Sequence, residues 1–125
     1  MRDPNSPVCR TISGLLSRIG DKWTVLVVNT LADGSRRFNE LRREIPSVSQ
    51  RMLTLTLRNL ERDGLVSRTV TPTIPPRVDY ELTGLGRSLV PALRAIESWA
   101  LDHVKDIHAA QARFDADADA KAEAA

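Results

Sequence analysis

A chain of 125 residues suits one domain with a real core, and its 42% hydrophobic and 27% charged residues are globular proportions. No apolar run approaches the roughly 20 residues of a membrane span, MRDPNSPVCR has no apolar signal segment, and a single cysteine cannot build an intrachain disulfide framework, so a cytoplasmic domain is expected. The net charge of +2 conceals an asymmetry: residues 36–87 carry ten arginines against six acids, whereas 88–125 carry four cations against seven acids. Arginine forks onto phosphate and guanine, so the basic middle favours a polyanionic partner.

In chain order, Ile12, Leu15, Leu16 and Ile19 recur at helical spacing and set a first helix over 11–19, closed by Gly20. Asp21 caps a second over about 22–32; its β-branched run at 25–28 looks strand-like, but cap and length favour helix. Phe38, Leu41 and Ile45 mark a short third helix that Pro46 ends. Ser49 caps a fourth, about 49–63, stopped by Gly64. The period then changes to alternation, giving strands at 65–71 and 78–83 joined by the proline-stiffened loop 72–77. Thr83 caps a long last helix with an apolar stripe of Leu85, Leu89, Leu93, Ile96, Ala100, Val104 and Ile107, and a bend is expected at Pro91. The Ala/Asp/Lys-biased text from 110 to 125 reads as a disordered tail behind a folded domain of residues 1–109.

The fourth helix has two faces. Leu53, Leu57 and Leu60 make an ordinary core side, flanked by Thr56 and Ser49, while Arg51, Thr54, Leu55, Arg58 and Arg62 collect opposite, with Gln50 at their edge and no acid among them. Two helices joined by a tight turn and followed by a hairpin predict a mostly α, α+β fold: a winged helix-turn-helix with a two-stranded wing. In that arrangement the second helix enters the major groove, and Gln50, Arg51 and Thr54 point at base edges. Gln bonds adenine, Arg forks onto guanine, and the outward Leu55 meets a thymine methyl. Arg58 and Arg62 read either as phosphate contacts or as surface partners of acids such as Glu61. Arg36 and Arg37, ahead of the third helix, are further candidate DNA contacts.

From Cys9 through IGDKW, RRFNELRREIP, SQRMLTLTLRNLERDGLVSRTV and IPPRVDYELTGLG to Trp99, the chain resembles the HxlR-type winged-helix regulators of bacteria, relatives of the MarR group. The resemblance covers roughly residues 9–105. It implies a dimeric transcription regulator in which helix one and the C-terminal helix form most of the interface. It also implies that Gln50, Arg51 and Thr54 read bases and that Arg77 is the wing contact. Leu55 and Thr56 stand where the family often has glutamines, so base preference does not carry over. Some relatives sense electrophiles or oxidants with a cysteine at the position of Cys9.

Cys9 reads as sitting just before helix one, beside Arg10 and near a helix N-terminus, both of which favour thiolate; packing near a dimer seam is the competing reading. Trp23 and Trp99 read as packing residues. His103 and His108 do not share a helix face, and the DADAD run lacks the glycine and glutamate of a calcium loop, so no metal site and no cofactor is expected. No nucleophile with a base, carboxylate pair or phosphate loop suggests an enzyme. The expected partners are double-stranded DNA and a second copy, with a small-molecule or electrophile effector as a candidate and no membrane. The alternative readings are a regulator that binds a ligand between its dimer helices and a winged-helix module that binds protein.

Overall fold

The computed structural model describes residues 3–124. Its elements are α1 (Pro7–Ile19), α2 (Lys22–Ala32), β1 (Arg36–Arg37), α3 (Phe38–Glu44), α4 (Gln50–Arg62), β2 (Val66–Thr71), β3 (Arg77–Leu82) and α5 (Gly84–Ala124). Contacts divide the chain into two compact units, one ending at Leu93 and one beginning at Arg94.

Side-chain caps explain most of the boundaries. The backbone N–H groups of Trp23 and Met52 donate to the Asp21 carboxylate and the Ser49 hydroxyl at 3.0 Å each, starting α2 and α4 where the polar residues predict. Thr83 joins two elements: its hydroxyl accepts the N–H of Gly86 at 3.1 Å and donates to the Gly64 carbonyl at 2.6 Å. α1 begins earlier than expected, because the Ser6 hydroxyl accepts the Cys9 N–H at 3.1 Å and Pro7 presets the first helical φ. Cys9 therefore lies within the first turn of α1 and not ahead of it.

The core of the first unit forms where the apolar periods of α2 and α4 meet. Val27, Val28 and Leu31 pack with Leu53, Leu57 and Leu60, joined by Leu41 of α3 and Leu82 of β3. At such sites truncation to alanine costs about 2–5 kcal/mol. Between α3 and α4, Ser47 takes φ of 75°, a left-handed conformation that costs a non-glycine residue about 1–2 kcal/mol. Ile45 and Val48, both buried, hold this turn on either side.

The sheet is antiparallel in the order β1-β3-β2 and has a strand more than the expected hairpin. β1 pairs Arg36 with Tyr80 and Arg37 with Asp79. Two adjacent arginines show no alternation for a sequence reading to detect; pairing with β3 makes them a strand. At the other end of β3, Gly86 lets α5 cross directly over the α4–β2 link, since a Cβ there would lie 2.1 Å from the Leu65 carbonyl oxygen.

The tail expected to be disordered from residue 110 is helix through Ala124, and α5 runs through Pro91 without interruption. Alanine is the strongest helix former, and a helix already nucleated upstream extends cheaply. In the second unit the apolar side chains of Ile96, Trp99, Leu101, Val104 and Phe114 are exposed. No helix among the described residues is long and apolar enough to cross a membrane.

Candidate nucleic-acid interface

α4 presents its polar face because its other face is committed to the core. Leu53, Thr56, Leu57 and Leu60 are buried, and Thr56 satisfies its hydroxyl by donating to the Met52 carbonyl at 2.8 Å. The outward residues Gln50, Arg51, Thr54, Leu55 and Arg58 are all exposed and line one surface recess. Leu55 is 50% exposed, so core packing does not account for it. The positive end of the helix dipole lies at Gln50 and Arg51 and adds to the guanidinium charge.

The surface-pair reading of Arg58 and Arg62 finds no support in the ion pairs. Those of the described residues are Arg18–Asp63, Arg36–Glu44, Arg77–Asp79 and Arg87–Glu81; none engages Arg51, Arg58 or Arg62. The guanidinium groups of Arg51 and Arg58 thus remain available to an external anion in the α4 recess, whereas Arg62, expected on the same face, lines a separate recess with Gly14, Arg18 and Asp63.

The other candidate arginines differ in how far they are already engaged. Arg36 donates from Nε to Glu44 at 2.7 Å, and this hydrogen bond raises its pKa further above its ordinary value. Arg77, half exposed at the start of β3, donates from Nε to both carboxylate oxygens of Asp79, at 3.0 and 3.3 Å. Arg37 is exposed, and its backbone N–H is held by Glu40 at 3.0 Å.

Arg37 and Arg77, forty residues apart in the chain, line a second recess together with Asn39, Glu40 and Arg43. Register explains the meeting: β1 lies beside β3, and Asp79, the partner of Arg37 across the ladder, also holds Arg77. Asn39 and Arg43 escaped the sequence reading. Their signal was the four-residue spacing that puts both on one face of α3.

Cys9 is half-buried. Trp23 packs partly buried against the core, whereas Trp99 is 58% exposed and stacks on His103 at 4.5 Å between ring centroids. His103 Nδ1 lies 2.7 Å from the Trp99 carbonyl oxygen. Among the described residues no group of three His, Cys, Asp or Glu side chains is placed to hold a metal ion.

A helix with a core face and an acid-free arginine face, set after a tight turn and before a β-hairpin, defines a winged helix-turn-helix protein. The chain belongs to the HxlR-like helix-turn-helix family, whose model matches residues 18–108. It is thus a transcriptional regulator of the helix-turn-helix class. It is 46% identical over 96 residues to the HTH-type transcriptional regulator YybR of Bacillus subtilis, 77% of this chain and 76% of that one. It is 52% identical over 84 residues to an HTH-type transcriptional regulator of Methanothermobacter thermautotrophicus, covering 67% of this chain and 64%, under two thirds, of that protein. Among solved structures it is similar to the redox regulator HypR. The oxidized form is 44% identical with a TM-score of 0.66, covering 74% of this chain and 95% of that chain. The reduced form is 41% identical with a TM-score of 0.72, covering 79% and 98%.

Proposed function

We propose that this regulator is a cytoplasmic homodimer that reads a pseudopalindromic operator. α4 enters the major groove with Gln50, Arg51, Thr54 and Leu55 on base edges and Arg58 on phosphate, and the 72–77 wing lies on the backbone or in the minor groove. Arg37 and Arg77 neutralise phosphates beside it, with Arg36 held back by Glu44. The observation that carries this reading is the exposed face of α4, whose Arg51 and Arg58 enter none of the ion pairs of the described residues. A protein-binding module would not need an all-arginine face. The second copy covers the exposed apolar side chains of α1 and α5, Val8, Leu16, Ile96, Trp99 and Val104 among them.

The experiment is sequencing of DNA fragments that the full chain selects from a random pool. A two-fold symmetric motif with half-sites about 10–11 bp apart, or a multiple, is expected. Recovery of sequences with no common motif would sink the reading.

A redox input through Cys9 is the second reading, favoured by the likeness to the redox regulator HypR over most of that chain. Cys9 stands in the first turn of α1, a helix assigned to the dimer seam, so an adduct on its sulfur acts where the subunits meet.

A further inference from the structure

We infer that the tip of the wing is an apolar wedge: Ile74 inserts from the minor groove between two stacked base pairs, and the protein thereby selects DNA with an easily unstacked step near each α4 site. The wedge presupposes the placing of the wing on DNA proposed above and adds a specificity residue to it.

The hairpin has two unlike faces. Side chains alternate along a strand, so the pairs Val66–Leu82, Arg68–Tyr80 and Val70–Val78 share one face, and Ser67–Glu81, Thr69–Asp79 and Thr71–Arg77 the other. Val66 and Leu82 are buried at the base of the first face, and Tyr80 packs partly buried against the core. Outward the row ends in half-exposed Val70 and half-buried Val78. Thr71 lies five residues past Val66, so the last rung stands about 17 Å beyond the buried one. The turn 72–76 follows, and Ile74 at its centre is fully exposed.

The composition of that turn is the signal. A turn that only reverses the chain is usually built from Gly, Asn, Asp or Ser; Pro72-Thr73-Ile74-Pro75-Pro76 has none of them and no charge. A single exposed isoleucine is commonplace on a protein surface. Here it stands among prolines and prolongs an apolar row that leaves the core, with Arg77 directly after the turn and Arg68 on the strand before it.

The tip is also braced. Three prolines fix their own φ, the Thr73 backbone N–H donates to the Thr71 carbonyl at 2.8 Å, and the Thr73 hydroxyl donates to the Pro75 carbonyl at 2.8 Å. Ile74 is therefore held outward before DNA arrives, and little freedom is lost on binding.

Chemistry selects the occupant. An uncharged tip gains no attraction from phosphate, while the flanking arginines favour a polyanion around it. The minor groove, about 6 Å wide, excludes a helix yet admits a side chain. Apolar residues that enter it, isoleucine and proline among them, wedge between base pairs and kink the duplex. Opening a step costs least at pyrimidine–purine steps, TA, CA and TG. Ile74 thus reads deformability at a place that α4 does not touch.

The test repeats the random-pool selection with the full chain as wild type, Ile74→Ser and Ile74→Leu. Wild type and Ile74→Leu should share an α4 motif accompanied, at a fixed distance from each half-site, by a TA, CA or TG step. Ile74→Ser should keep the motif and lose the step. On the selected duplex with 2-aminopurine replacing the adenine of that step, wild-type binding should raise the fluorescence severalfold, and Ile74→Ser should leave it flat. Ile74→Ser should bind this duplex severalfold more weakly with the wild-type salt slope and melting temperature, since it removes neither a cation nor a packed side chain. No step preference, a step that survives in Ile74→Ser, flat fluorescence with the wild type, or a lower salt slope in Ile74→Ser would overturn the wedge and leave the α4 reading intact. So would an Ile74→Ser chain that binds DNA normally but no longer self-associates, which would make the tip a contact between copies. A pool with no common motif for any of the three chains would overturn the α4 reading and the wedge with it.

Discussion

Replacement of Arg51 by alanine separates reading from folding. Arg51 is the second residue of α4, exposed, and engaged by none of the ion pairs of the described residues. Alanine is the best helix former, so the fold should change by no more than about 0.5 kcal/mol. A bidentate guanine contact discriminates by about 1–3 kcal/mol, and a two-fold dimer places one such contact in each half-site. On a symmetric operator the two sum to about 2–6 kcal/mol, on the order of thirty- to ten-thousand-fold in affinity. Fluorescence anisotropy titrations of the selected operator, repeated from about 50 to 200 mM salt, measure this together with the salt slope. A base contact should cost affinity on the cognate site, relax preference at one position per half-site and spare non-specific DNA. If Arg51→Ala keeps its melting temperature, affinity and base preference, α4 does not dock through its N-terminal turn.

Other outcomes follow from the same structure. Arg37→Ala should weaken operator and random DNA alike and lower the salt slope by about one per phosphate lost, with base preference unchanged in a repeated selection. Gly86→Ala should destabilise the chain by more than about 2 kcal/mol in urea titrations, because its Cβ would sit 2.1 Å from a backbone oxygen that cannot move alone. Light scattering at micromolar concentration should give about twice the 13.9 kDa chain mass, and a persistent monomer would remove the two-fold operator. Diamide should change operator affinity severalfold and reversibly with reductant, through a Cys9–Cys9 bridge or a mixed disulfide, since the chain has one cysteine; an equal response in Cys9→Ser would leave Cys9 as packing.

Patterns that live within one turn or one strand were legible in the sequence. The 3.6-residue stripe of Leu53, Leu57 and Leu60 set the buried side of α4 and, by exclusion, the recess lined by Gln50, Arg51, Thr54, Leu55 and Arg58. Asp21, Ser49 and Thr83 announced helix starts because a cap bonds only a few residues ahead of itself. Features joining distant residues were decided by tertiary structure. β1 exists only because β3 offers it a ladder, and the same ladder brings Arg37 to Arg77. Charge engagement divides the same way: Arg77 and Asp79, two apart on one face of β3, could be paired from the strand period alone, whereas Arg36 looks as free as Arg51 until the β1–α3 turn brings it Glu44. The cavity beside Gly14 needs three helices at once, and its link from Arg18 to Asp63 spans forty-five residues. Local periodicity depends on backbone geometry that every chain shares, whereas these contacts depend on how whole elements pack, which no single window of sequence contains.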